Sequence, residues 1–238
     1  MFNDRYYRLI DVALLSNVLT LNLHAGVLPM WKGFHANAWA IINGEQKIGY
    51  TLHQVNECMD AGDIYHRFLE DVKPNERFAE VIPRLKQQVF EQLPQILVDV
   101  YRGKIEPISQ NLQQSFFCTK IIPDDGLIKS WDIDTKTLYN LYRVVAYPYG
   151  VGLFFVYRDT TFEILEMSIC DEISYICVPG AIVNIEKGNM FVKTKDSYVK
   201  ISKIRRQMDE VDIEKIFKIG NRLEKWASRS HFIFHKEQ

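Results

Sequence analysis

Residues Leu21 to Glu45 read LNLHAGVLPMWKGFHANAWAIINGE, and this stretch decides the fold. Alternating apolar residues ahead of His24 predict a strand that ends there. Residues 34–43 carry apolar side chains at helical spacing and predict a helix, with Gly44 at the position of a C-terminal cap. Because side chains two residues apart on a strand point the same way, Asn22 and His24 are expected to share one face at the strand's carboxyl end.

Composition places the chain among ordinary globular proteins. It has 238 residues, of which 47% are hydrophobic and 25% charged, enough for one or two domains. No apolar run approaches the ~20 residues that a membrane-spanning helix needs, so we expect no membrane partner and a cytoplasmic location. The formal net charge of -1 does not indicate a nucleic-acid partner. Four cysteines without C-x-x-C spacing predict free thiols rather than a zinc ribbon or a disulfide framework.

The segment that follows predicts further strands and a long helix. Residues 49–56 and 64–72 are rich in β-branched and aromatic side chains and predict two strands. Asn75 is a good N-cap for the helix that comes next. Pro83 and Pro94 predict kinks or breaks within that helix, because proline removes a backbone donor.

The second half of the chain has a different pattern. A Pro-Asp-Asp-Gly turn at 123–126 leads to a short helix, and residues 152–204 then form several short apolar segments separated by Gly and Asp turns. This predicts an α/β region over residues 1–118. A small, mostly β domain is predicted over residues 119–238.

Three polar residues suggest chemistry at the end of the first strand. Asn22 offers an amide donor to a developing oxyanion, and an Asp60 beside His24 would hold the tautomer of that imidazole. Such a set suits acyl transfer to an amine without a covalent enzyme intermediate. A purely structural role and a metal site of His24, His53 and Asp60 stay open as alternatives, although the spacing matches no standard zinc motif. A serine hydrolase is disfavoured, because no G-x-S-x-G elbow is present.

A longer ordered pattern surrounds these residues and resembles the folate-dependent formyltransferases. This family includes methionyl-tRNA formyltransferase, phosphoribosylglycinamide formyltransferase and the sugar-nucleotide N-formyltransferases. The pattern consists of Asn22-x-His24, Leu28-Pro29, Lys32-Gly33, Trp39-Ala40-Ile41, Asn43-Gly44-Glu45, Gly49, Thr51 and Met59-Asp60-Ala61-Gly62-Asp63-Ile64. Weaker matches from Pro123 to Leu223 resemble the smaller C-terminal domain of the tRNA and sugar enzymes.

The resemblance implies a reaction and a set of roles. The formyl donor would be N10-formyltetrahydrofolate, no metal would be needed, and Asn22, His24 and Asp60 match the family's catalytic residues. The expected contacts to the folate are Arg5, Tyr6, Val55, Asn56 and Asp63. His53 is a weaker candidate for the same role, held equal with an ordinary strand position.

The resemblance also bears on the amine that is formylated. The block from Trp31 to Trp39 resembles the sugar enzymes, and the basic insert of the tRNA enzymes is not seen. The expected acceptor is therefore a nucleotide-linked amino-dideoxy sugar, with a thymidine diphosphate as the expected nucleotide. The predicted substrate contacts are Trp31, Lys32, His35, Asn37 and Tyr149. Methionyl-tRNA is the alternative acceptor, and a homodimer is a further expectation.

One departure from the family pattern concerns the start of the chain. Met1 lies where the helix before Asn22 is about to begin, so the first strands of the family's sheet have no counterpart. The resemblance therefore implies that residues 1–118 form a catalytic core with an incomplete Rossmann-like parallel sheet and with weak or absent activity. The alternative is a binding module that keeps the rest of the fold.

Overall fold

The computed structural model describes residues 18–146, 150–170 and 177–223. The chain divides into two compact units, one up to Ile121 and the other from Ile122 onward. The predicted contacts of Arg5, Tyr6 and Tyr149 lie outside the described residues.

The described part of the first unit combines a three-stranded sheet, a two-stranded pair and two helices. Its elements are β1 (Leu21–His24), β2 (Trp31–Gly33), α1 (Ala36–Ile42), β3 (Lys47–Gln54), β4 (Ile64–Asp71), α2 (Phe78–Tyr101) and β5 (Phe116–Cys118). The sheet order is β1-β3-β4, and β2 pairs with β5. Apolar side chains of α1, β3, β4 and α2 form the buried core of this unit.

Strand direction in the first unit differs between its two sheets. The predicted α/β class with a mostly β C-terminal part is confirmed. The parallel pairing that the described residues show is between β2 and β5, whereas β1, β3 and β4 pair antiparallel. Asn22 and His24 therefore lie on an antiparallel sheet, with Asn22 directly opposite His53 and His24 opposite Thr51.

Helix α2 corrects two predictions from the sequence. It begins at Phe78 with Arg77 at the N-cap, so the predicted cap at Asn75 is wrong. The helix is also continuous through Pro83 and Pro94, where kinks or breaks were expected, so neither proline breaks it. Both prolines are on the solvent-exposed side of the helix, where water can satisfy the carbonyl groups that lose their donors.

The second unit is built on an antiparallel sheet. Its elements are α3 (Thr135–Val145), β6 (Phe154–Tyr157), β7 (Thr160–Cys170), β8 (Ile182–Glu186), β9 (Asn189–Lys193), β10 (Tyr198–Arg206), β11 (Asp209–Glu210) and α4 (Ile213–Ile216). The strand order is β6-β7-β10-β9-β8, and β11 pairs with β10. The Pro123–Gly126 segment forms a 3-10 turn ahead of α3, as its sequence predicts.

An aromatic cluster forms the core of the second unit. Phe155 stacks on Phe162 at a centroid distance of 5.5 Å, and Phe217 contacts both rings. Trp131 meets Phe155 edge to face and is fully buried. Within the described ranges, none of the helices has the length and apolar character needed to span a bilayer.

Candidate active site

The loop after β1 is held against the sheet by Thr51. The hydroxyl of this fully buried residue donates to the Gly26 carbonyl at 2.7 Å and accepts the Leu28 N–H at 3.1 Å. Gly26 has no room for a side chain, because a Cβ atom would lie 2.6 Å from the Trp31 carbonyl and from His24 Nε2. The loop therefore packs directly on the His24 ring.

His24 is buried between the loop and Asp60. Its Nε2 lies 2.7 Å from the Trp31 carbonyl, which assigns the proton to Nε2 because a carbonyl oxygen only accepts. Its Nδ1 lies 3.4 Å from Asp60 Oδ2. Burial lowers the pKa of His24, and the Asp60 charge and the Trp31 carbonyl offset part of that effect. The neutral ring is thus favoured at rest, with its lone pair directed toward Asp60.

Asp60 holds the centre of the polar cluster in an uncommon backbone conformation, with φ of 50°. Its Oδ2 accepts the Gly33 N–H at 2.9 Å, and its Oδ1 lies 3.6 Å from His53 Nε2. Burial opposes the charge, but His53, His24 and the Gly33 N–H outweigh burial and lower the pKa of Asp60. The carboxylate is therefore ionised at neutral pH.

His53 orients the amide of Asn22. The His53 Nδ1 donates to the Gln54 carbonyl at 2.8 Å, so its Nε2 is an acceptor in the neutral ring. Asn22 Nδ2 lies 3.1 Å from that Nε2 and donates to it. An amide nitrogen carries two N–H groups, and the second of Asn22 has no partner among the described residues.

The structure thus brings together the three predicted catalytic residues and adds a fourth. Asn22, His24 and Asp60 meet around His53, which the sequence suggested as a weak folate contact or as a member of a metal site. The strand pairing explains the role of His53, because it places His53 directly opposite Asn22. The backbone N–H of Gly33 is a further site group that side-chain motifs do not reveal.

The predicted substrate contacts are mostly interior in this structure. Trp31 packs against Phe116, and Lys32 is buried with its ammonium 5.8 Å from the Phe117 ring. Asn37 is buried on α1, and its side-chain oxygen accepts the Gly49 N–H at 2.9 Å.

His35 differs from these residues because it is exposed. Its Nδ1 accepts the Ile121 N–H at 3.1 Å, which leaves Nε2 toward solvent. Burial of the ring and the nearby Lys120 lower its pKa. Contacts of these four residues with an acceptor stay predictions.

The predicted folate contacts lie on the loop between β3 and β4. The Val55 N–H donates to the Thr20 carbonyl, the Asn56 side chain accepts the Cys58 N–H, and the Asp63 carbonyl accepts the Gln54 N–H. These bonds define the shape of the loop that carries Asp60. In the part of the chain that the structure describes, no His, Cys, Asp and Glu side chains are grouped as a metal site would require.

Comparison with known proteins gives a consistent family. The family model described as Formyl transferase matches residues 4–98, and that for the Formyl transferase C-terminal domain matches residues 120–220. The methionyl-tRNA formyltransferase of Mycoplasma capricolum is 27% identical over 197 residues, which are 81% of this chain and 61% of that protein. The chain spans about 60% of the length of the curated relatives it matches.

Solved structures share the fold. The N-formyltransferase from Helicobacter canadensis, in complex with folinic acid and dTDP-3-aminofucose, has a TM-score of 0.61 at 15% identity and covers 82% of this chain and 70% of its own. HypX from Aquifex aeolicus, in complex with tetrahydrofolic acid, has a TM-score of 0.58 at 22% identity and covers 89% of this chain and 37% of its own. Since the two family models together match most of the sequence, the chain belongs to the formyl transferase family.

Proposed function

We propose that this chain carries the centre of an enzyme that transfers a formyl group from N10-formyltetrahydrofolate to a primary amine. The observation that carries the proposal is the cluster of Asn22, His24, His53 and Asp60 in a chain of this family. The amine attacks the formyl carbon, the bond from that carbon to N10 breaks, the amine loses a proton and N10 gains one. Amide formation and tetrahydrofolate release then need no covalent enzyme intermediate.

The Asn22 amide fits the carbonyl oxygen of the formyl group on N10-formyltetrahydrofolate. Asn22 has one N–H fixed on His53 Nε2 and a second available to a substrate oxygen. As the tetrahedral intermediate forms, this second N–H donates to the developing oxyanion, and because His53 already orients the amide, little reorganisation is needed. His53 thus acts through Asn22 as a positioning residue.

The buried pair of His24 and Asp60 accepts the proton that the amine loses. Neutral His24 has its lone pair on Nδ1, 3.4 Å from the Asp60 carboxylate. Once a proton arrives, both N–H groups of the imidazolium have acceptors, Nε2 on the Trp31 carbonyl and Nδ1 on Asp60. Burial disfavours the charged ring at rest, so the proton is readily passed on to N10 of the leaving tetrahydrofolate.

For the acceptor, we propose a nucleotide-linked amino sugar. The block from Trp31 to Trp39 and the net charge of -1 support this choice, since a protein that grips a tRNA backbone gains from an excess of positive charge. The Helicobacter canadensis enzyme of similar fold is described with such a sugar, dTDP-3-aminofucose. Methionyl-tRNA is the second candidate, because the curated relatives with the same family pattern are named methionyl-tRNA formyltransferases.

A product assay separates the two acceptors. The chain is incubated with N10-formyltetrahydrofolate and either a panel of nucleotide-linked amino sugars or methionyl-tRNA, and products are read by mass spectrometry. We expect an amino sugar to gain the mass of one formyl group, and we expect the gain to disappear with Asn22→Ala. Formylation of methionyl-tRNA alone would select the second acceptor.

A binding measurement gives the control for the assay. Calorimetric titration with 5-formyltetrahydrofolate, which is not a donor of this reaction, reports on the folate site without turnover. Binding without any product would show a folate-binding module rather than an enzyme. A lack of both would remove the proposal for this chain.

A further inference from the structure

Gln110 clamps the loop that carries Asp60. Its side-chain Nε2 donates to the Gly62 carbonyl at 2.6 Å and to the Asp60 carbonyl at 3.1 Å. These are the backbone carbonyls of Asp60 itself and of the residue two positions later. One side chain thus spans the turn at which the catalytic carboxylate is presented.

The orientation of the Gln110 amide is dictated by its partners. Both nearby groups are carbonyl oxygens, which accept only, so the NH2 end must face them and both of its hydrogens are used. The other end, Oε1, is buried and has no partner among the residues that the structure describes. A buried acceptor without a donor costs free energy, so Oε1 does not favour this position. The two hydrogen bonds from Nε2 to the loop hold the side chain there instead.

Backbone pairing places Gln110 at that position. Ile64, the first residue of β4, exchanges two hydrogen bonds of 2.8 Å with Ile108. Gln110 follows Ile108 by two residues and so reaches back over the loop that ends at Ile64. The opposite side of the loop is closed, because a Cβ atom on Gly62 would lie 1.9 Å from the Gln54 carbonyl.

The turn that Gln110 spans needs such support. Asp60 has a φ of 50°, in the left-handed region that non-glycine residues seldom adopt, and the nearby Ala61 N–H has a long bond of 3.3 Å to the Cys58 carbonyl. The carboxylate must nonetheless reach Gly33, His24 and His53 together. The two bonds from Gln110 are the side-chain contacts to carbonyls of this turn in the described residues.

We propose that Gln110 is a positioning residue of the formyl-transfer site, which fixes the backbone of Asp60 so that its carboxylate faces His24. This inference rests on the proposed function for its catalytic consequence. The placement itself can be tested without turnover, because the titration of His24 depends on the Asp60 charge. The other titratable groups that act on His24 are His53 and Lys32. The hydrogen bonds of the Gln110 side chain go to Asp60 and Gly62 instead.

The test uses Gln110→Met, which keeps the volume of the side chain and removes both donors. Gln113→Met is the matched control, because Gln113 is exposed and only its backbone N–H is bonded. The protonation midpoint of His24 is followed by NMR on the imidazole nitrogens, with the signal assigned from a His24→Gln spectrum. Urea unfolding identifies which variants are folded.

We expect the His24 midpoint to fall in a folded Gln110→Met protein and to stay unchanged in Gln113→Met, since a displaced Asp60 no longer favours the imidazolium. Added to Asp60→Asn, Gln110→Met should shift the midpoint no further. In the product assay, kcat should fall about 100-fold with little change in KM for the amine.

Two results would overturn the proposal. One is an unchanged His24 midpoint in a folded Gln110→Met protein. The other is an equal shift in the presence and absence of the Asp60 charge, which would show that Gln110 acts on His24 by another route. If the midpoint falls as expected but no product forms even in the unmodified chain, the positioning role stands and the proposed function fails.

Discussion

Thr51 offers a direct test of how the loop beside His24 is held. Thr51→Val keeps the shape of the side chain but removes its hydroxyl, leaving the Gly26 carbonyl and the Leu28 N–H without their partner in a fully buried place. Each orphaned group costs about 1–3 kcal/mol. The added methyl group recovers about 0.8 kcal/mol. We therefore expect the free energy of unfolding to fall by about 1–5 kcal/mol, against the ~5–15 kcal/mol typical of a domain.

The measurement is urea unfolding read by hydrogen exchange of separate peptides, so that the first unit is followed by itself. Thr119→Val is the matched control, because Thr119 is an exposed residue of the same unit, and its change should stay within about 0.5 kcal/mol. Thr51→Ser retains the hydroxyl and should recover most of the loss. A Thr51→Val protein as stable as the control would refute the reasoning that these two bonds hold the loop.

Three further predictions concern the polar cluster. Asn22→Ala should lower kcat for formyl transfer by about 100- to 1,000-fold, as loss of an oxyanion donor does, and a kcat near that of the unmodified chain would remove its role. Asp60→Asn removes the attraction between the carboxylate and the His24 imidazolium, about 5 kcal/mol for unit charges 3.4 Å apart at an effective dielectric constant of ~20. The pKa of His24 should therefore fall in an NMR titration. Asp71→Asn, at an exposed position, should leave that pKa unchanged. Burial lowers the pKa of His24 below 6.5, so the unfolded chain takes up the proton at a higher pH than the folded chain. The free energy of unfolding should therefore decrease as pH falls through and below 6.5. His24→Gln should flatten that decrease in urea titrations at several pH values.

Local sequence patterns were sufficient to predict an element where its bounds depend on its own residues. The helix before Gly44 stops ahead of that glycine, which has a positive φ of 87°, as the sequence indicates. The long helix was harder, because proline signals a break whether its lost donor faces the core or water. In α2 both prolines face water, and that orientation is decided by which side of the helix packs on the sheet.

The sequence by itself determined the residue types and the spacing of the site. Asn22 and His24 lie on one strand, and the Asp60 turn lies in the loop that follows the neighbouring strand. The sequence did not reveal that β1 and β3 pair antiparallel, which puts His53 opposite Asn22.

Only the tertiary structure decided which group orients which. The proton position on His24 depends on the Trp31 carbonyl. Asp60 takes a hydrogen bond from the Gly33 N–H on its carboxylate and one on its backbone carbonyl from Gln110, which is 50 residues away along the chain. The physical reason is that hydrogen bonds from backbone groups and long-range pairing carry no signature in local composition or periodicity. They arise when the chain folds and brings distant segments within 3 Å or so of one another.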